Sequence, residues 1–321
     1  MKTMLSKLKF IFLPLFILSV SFTSCDNDDD PENEEPKETA KITNIEIGLN
    51  NNEIGTIGKD FHFNAEVLAA TKIDSIGIKI VPRPDETYEK AWSFEKTWPQ
   101  YQDVKNALVH EHFNIPADAV EGKYDFIIIV KDQNGTTLEE KRAITLYLAA
   151  NLPVDPQLFS FYAGTVDNNY KILREIYNTA NPDKTDLRIS KDELLNARAA
   201  ISGLKGDGKA VIVLINKKHN HRPETLEAID YTKAIVVDVA QHIGVPASGS
   251  FSTTTDRSTT PITLRKPKLK IGADIDNNTP AGNPIDGLKA WESGQYYLGI
   301  IYKNTTYNMG LFEYINLQIE Y

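Results

Sequence analysis

Three histidines carry the most specific chemistry in this chain. His110 and His112 lie two residues apart in 107–115, a run whose alternation reads as a strand, so both side chains leave from one face. Val109, Phe113 and Ile115 take the opposite face, with Glu111 as a misfit among them. His62 lies in a second such run, 60–69, opposite an apolar row of Phe61, Phe63, Ala65 and Val67. If the two runs are neighbours in one sheet, the three imidazoles converge. Such a trio can hold zinc or copper, set against the plainer expectation of polar residues on the wet side of a sheet.

Other candidates are less specific. His219-Asn220-His221 is flanked by Lys217, Lys218 and Arg222, whose charge opposes a dication, and it reads as a solvated turn. Asp274-Ile275-Asp276-Asn277-Asn278 sets oxygens at alternate positions as a calcium loop does. Thr279 and Ile285 stand where that loop needs Gly and Glu, so a turn is expected. Trp92, Trp98 and Tyr101 fall in a long connection and are of the type that stacks on a glycan or a partner, although tryptophans in such a segment more often close the open end of a core, and that is the expectation here. No Gly-x-Ser-x-Gly, His-Glu-x-x-His or phosphate-binding loop occurs, and an enzyme is not expected.

The elements that must position these residues are mostly strands. In 41–150 the runs 42–49, 60–69, 73–81, 107–115, 123–131 and 137–148 alternate, and Gln133-Asn134-Gly135 is a hairpin signal between the last two. Ile115-Pro116-Ala117-Asp118-Ala119 followed by Gly122-Lys123-Tyr124 has the layout of a corner in which a tyrosine packs across the loop, as in an immunoglobulin-like sandwich. On Gly58-Lys59-Asp60-Phe61-His62, His110-Glu111-His112, the Pro116-Ala117-Asp118 corner and Gly122 to Asp132, this region resembles an uncharacterised family of immunoglobulin-like domains found in Bacteroidota lipoproteins.

After the proline-bracketed break 151–156 the pattern is mixed. Ser190-Lys191-Asp192-Glu193 matches a capping box and predicts a helix over 191–201. Strands are expected at 209–216, 234–240, 262–271, 296–303 and 311–321, with an exposed Ser/Thr-rich loop at 249–261. The fold expected is mainly β: two β-sandwich domains, 41–150 immunoglobulin-like and 151–321 jelly-roll-like with one or two helices.

The first forty residues set the expected location. Lys2, Lys7 and Lys9 precede an apolar run of 11 residues, the layout of a secretory signal and too short to span a bilayer. Phe22-Thr23-Ser24-Cys25 resembles the box at which bacterial lipoproteins are cleaved and acylated, which accounts for the single cysteine, so 1–24 is expected to be a signal peptide and Cys25 the lipidated residue. Residues 25–40, rich in Asp and Glu with two prolines, form a disordered acidic tether. Acidic runs after a lipidated cysteine resemble the signal that carries Bacteroidota lipoproteins to the outer face of the outer membrane. Loss of residues 1–24 takes the net charge from −9 to −12, and the tether holds −7 of that. The mildly acidic body offers no stripe for phosphates, so nucleic acid is not an expected partner.

The expectation is therefore a non-catalytic lipoprotein of the outer-membrane surface, anchored by lipid and acting as a binding or interaction module. No cofactor is required for that role, and an envelope protein, a metal ion or a glycan are the candidate partners. One alternative is a zinc- or copper-binding accessory to an outer-membrane transporter, using His62, His110 and His112. Another is a glycan-binding or carbohydrate-active protein using Trp92, Trp98 and Tyr101.

Overall fold

The computed structural model describes residues 37–165, 171–176, 188–256, 261, 263–265 and 267–321. Up to residue 36, the segments expected to be a signal peptide and an acidic tether, with Cys25, lie outside the described residues. Residues 38–321 form one compact unit.

Two sheets face each other in its first part. One has the order β1 (Lys41–Ile47), β3 (Asp60–Leu68), β6 (Asn106–Asn114). The other runs β2 (Ile54–Thr56), β8 (Thr137–Tyr147), β7 (Gly122–Asp132), β4 (Ile73–Pro82), β5 (Phe94–Trp98). Strict alternation on β3 sends Phe61, Phe63, Ala65 and Val67 into the core between the sheets, each at most 3% exposed. Phe63 stacks on Trp98 with ring centroids 5.6 Å apart, and Phe61 meets Phe113 at 5.3 Å. These contacts fix which face of β3 and β6 looks inward, and therefore which looks out. The tyrosine corner forms as the spacing predicts. Tyr124 is fully buried, and its hydroxyl donates to the carbonyl of Val120 at 3.0 Å. At the hairpin, Gly135 takes φ +90°.

The remainder is organised by β12 (Leu194–Asn216), which is 23 residues long. Its first half pairs with β9 (Gln157–Thr165) and its second with β17 (Gly294–Asn304), while β13 (Ala234–Ser252) pairs with it on the other side from Ala200 to Ile215. β10 (Lys171–Ile176), β18 (Met309–Glu320), β11 (Arg188–Ser190) and β16 (Leu269–Lys270) complete the sheet, and β14 (Thr255–Asp256) pairs with β15 (Thr263–Leu264) apart from it. Between the halves of β12 the register shifts repeatedly, and Gly203 and Gly206 take φ +71° and +77°. The bend brings Leu195, Ala197, Ala199 and Ile201 of the first half into one core with Ala210, Ile212 and Leu214 of the second.

Two expectations change here. The segment 191–201 is a turn and then strand, and the described residues hold only short 3₁₀ turns in place of the one or two helices expected. Glu193 does accept from the Ser190 amide at 2.6 Å, as a capping box requires, but Asp192 at φ +71° turns the chain into an extended course. The apolar residues that read as helical density are buried at every second position, which is a strand's period. The expected loop at 249–261 begins later, because β13 continues to Ser252.

Candidate metal centre

The outer face of the first sheet would be solvent-facing if the sandwich stood alone. It is covered over its histidines by the connection between β12 and β13. The second half of β12 buries both faces: Ala210, Ile212 and Leu214 face the bent sheet, while Val211, Val213 and Ile215 join a separate core with Ile229, Val236, Ile301 and Tyr314. Leu226 and Ile229 of the connection pack into that second core. Further attachments fix the same segment. The Tyr314 hydroxyl donates to the Pro223 carbonyl, the Arg222 guanidinium lies 4.9 Å from the Tyr314 ring centroid, and Lys303 pairs with Glu227 at 2.7 Å. Glu224 is thereby held next to the histidine face.

In the β3–β6 pair His62 stands directly opposite His112, and Asn64 opposite His110. The three imidazoles do converge, and they meet Glu224. His62 Nδ1 lies 3.4 Å from His112 Nε2 and 3.3 Å from Glu224 Oε2, and His112 Nε2 lies 3.1 Å from that same oxygen. His110 Nε2 stands 3.6 Å from Glu224 Oε1. One donor atom from each of the four residues falls within 4.8 Å of every other, the one grouping of this kind among the described residues. A tetrahedral zinc ion has bonds of about 2.0–2.1 Å, which sets the edges of its ligand tetrahedron at about 3.3–3.4 Å. The three closest separations match those edges within a few tenths of an ångström.

Two further carboxylates stand behind the histidines. Asp60 Oδ2 is 2.6 Å from His112 Nδ1, leaving Nε2 for the centre. Glu46 Oε2 is 3.4 Å from His62 Nε2, within ion-pair range but short of hydrogen-bond geometry. Carboxylates in that position orient imidazole ligands and raise their basicity. Glu46 reaches the site because β1 carries a bulge. Thr43 pairs with Glu66 and Glu46 with Asn64, with an extra residue between and Asn44 at φ +51°, so the alternation of β1 reverses there.

The charges are strongly coupled. Contact with Glu224, opposed by burial and reinforced by Asp60, pushes His112 up to about 9. Burial pushes His62 down, and Glu224 with Glu46 more than offsets it, leaving His62 above its ordinary value. Glu224 is pushed up by burial and pulled down further by His112, His62 and His110, to about 2. His62 is 5% exposed, whereas His110 is half exposed.

The remaining candidates have other work. His219 Nε2 donates to the Leu288 carbonyl at 2.7 Å, and His221 Nε2 accepts from the Asp230 amide at 3.1 Å, so the second His-x-His is part of a folded turn. Asp276 accepts from the amides of Val236, Asn278 and Asn283 and pairs with the buried Lys289 at 3.0 Å, which makes that loop a turn as expected. Trp92 and Trp98 are 9% and 3% exposed in the first core, and the Tyr101 hydroxyl donates to Glu111 at 2.7 Å. They form no exposed platform for a sugar; they close the core, and Tyr101 with Gln100 satisfies the misfit Glu111.

Comparison with known proteins adds one firm result. Residues 23–147 match an uncharacterised family, the domain of unknown function DUF4625. This part of the chain is similar to DUF4625 domains. Its span contains His62, His110 and His112 together with Asp60 and Glu46, whereas Glu224 lies beyond it. No curated protein matches the chain. Among solved structures, dimeric latent PorU from Porphyromonas gingivalis aligns with 11% identity and a TM-score of 0.28, over 90% of this chain and 21% of that one, a likeness too slight to bear on either fold or function.

Sequence reading located the three histidines but missed Glu224, Glu46 and Asp60 as members of the site. Asn44, a residue tolerant of positive φ, was the available signal for the bulge that turns Glu46 outward. Glu224 is 112 residues from His112 and carries no local signal.

Proposed function

We propose that this chain is a non-catalytic, lipid-anchored envelope protein that binds a first-row transition-metal dication through His62, His110, His112 and Glu224, with His112 oriented by Asp60 and His62 by Glu46. The observation that carries this reading is the close grouping of three imidazoles and one carboxylate within 4.8 Å, with His62, His112 and Glu224 at tetrahedral edge distances. Nitrogen-rich donors with one carboxylate suit zinc, with copper(II) the main competitor. Cys25 is the residue that would carry the lipid, and the outer face of the outer membrane the place where it would act, beside a transporter of the same metal. The burial of Trp92 and Trp98 favours this reading over a glycan-binding one.

Isothermal titration of the full-length protein with zinc and with copper(II) tests the centre. One equivalent should bind, and a His110→Ala, His112→Ala double variant should lose at least about tenfold in affinity. Unchanged affinity in that variant would remove the proposal. The anchor is tested separately by Cys25→Ala, which should release the protein from membranes; a variant still sedimenting with them would rule the lipid anchor out.

A further inference from the structure

We propose that the cavity beside this centre is a binding site for a small organic carboxylate with an apolar body, whose carboxylate oxygen ligates the bound metal. The inference rests on the metal-binding reading. The cavity has a volume of about 490 Å³, in the range of pockets that enclose small molecules. Its walls come from the DUF4625-like region on one side and from β9 and β18 on the other, and they include His62 and His112. An ion held between those two imidazoles therefore borders the cavity.

The chemistry of the walls selects the ligand. Leu49, Ile54, Leu311 and Phe312 supply an apolar body. Most of the polar lining is already engaged: Asp60 is bonded to His112, Asp155 accepts from Gln157 at 2.7 Å, and Asn52 is used by the Ile54 amide and by Met309. Lys59 is exposed and has no carboxylate partner among the described residues. A free ammonium in the lining and a Lewis acid at the wall both favour an anionic oxygen donor. Zinc accepts a fifth ligand readily, and His110, half exposed and the most distant from Glu224, is the ligand that can most easily make room.

Cobalt(II) in the full-length protein, whose visible bands report the ligand set, provides the test, with 4-phenylbutyrate as the probe. A saturable change in the bands is expected. Lys59→Glu should weaken the apparent affinity about tenfold, and Gln157→Trp, placed to fill the cavity from an exposed position, should abolish the response, with cobalt uptake normal in both variants. Normal cobalt binding with bands that ignore the probe would overturn the cavity proposal and leave the metal reading standing. An equal response in wild type and both variants would also overturn it, since the carboxylate would then be reaching the metal from bulk solvent. If cobalt does not bind at all, both proposals fall together.

Discussion

Asp60 and Glu46 touch no metal in the proposed arrangement, yet each stands against an imidazole that does. Replacing either with its amide, Asp60→Asn or Glu46→Gln, should lower zinc affinity about 10- to 100-fold while leaving the fold intact. Chelator competition beside far-ultraviolet circular dichroism would separate the two effects, and affinity equal to wild type in both variants would count against an orienting role. A carboxylate away from the centre contributes to acid stability. Asp132 is buried, which pushes it up, but the Thr71 hydroxyl and the amides of Thr71, Asn134 and Ala70 hold it at about 2. Because its folded value lies below its unfolded one, its stabilisation is present above about pH 4 and disappears as pH falls toward 2. Asp132→Ala should therefore unfold at lower denaturant than wild type at pH 7, and the gap should close over that interval. At this scale the sequence was partly legible. Alternation placed His62, His110 and His112 on outer faces because one row on each strand is plainly apolar. It could not place Glu224, because no local pattern records a contact between segments so far apart.

Two elements depend on backbone positions that side-chain patterns do not reveal. The β1 bulge at Asn44 reverses the strand's alternation, so that Ile42 and Ile47 share the inner side while Glu46 turns out toward His62. Asn44→Val, which disfavours positive φ, should strain that bulge; zinc affinity should fall as in Glu46→Gln, with a stability loss of about 1–2 kcal/mol besides. A variant with wild-type affinity would show that Glu46 reaches the site without the bulge. In β12 the bend passes through Gly203, where an added Cβ would lie 2.0 Å from the Asp155 carbonyl oxygen at a φ of +71°. Gly203→Ala should cost at least about 2 kcal/mol in denaturant unfolding. The same strand explains the failed helix. Alanines at 197, 199 and 200 intrinsically favour a helix, and the locally correct capping interaction points the same way. What decided the outcome was pairing with β9 and β13, which lies outside any local window.

For the whole molecule, the proposed ligand set joins segments that the chain brings together only on folding. A metal bound to that set binds the native state and not the open one, so zinc should raise the unfolding midpoint. At a hundredfold excess over the dissociation constant the gain should be about 2.7 kcal/mol. Calorimetry of wild type against Glu224→Gln checks this, and an equal zinc response in the two would show that the carboxylate does not ligate. The β-rich architecture and the tyrosine corner were readable in advance, since both depend on short-range alternation and spacing. How the later part of the chain lies over the histidine face was not, because it depends on the second core beneath residues 217–233.

That covering segment has a consequence for kinetics. Three donors sit on a pair of hydrogen-bonded strands and cannot separate without breaking the sheet, whereas the fourth rides on a connection of its own. If a metal is held there as proposed, exchange should proceed through one arm, with Glu224 the group able to release first, His62, His110 and His112 the residues that would still hold the ion, and the exposed His110 the side open to a chelator. Loosening the arm, as by Tyr314→Phe, which removes the tie to Pro223, should quicken zinc transfer to a chelator in stopped-flow experiments more than it weakens equilibrium binding. A transfer rate unchanged by that substitution would argue that the ion leaves by another route.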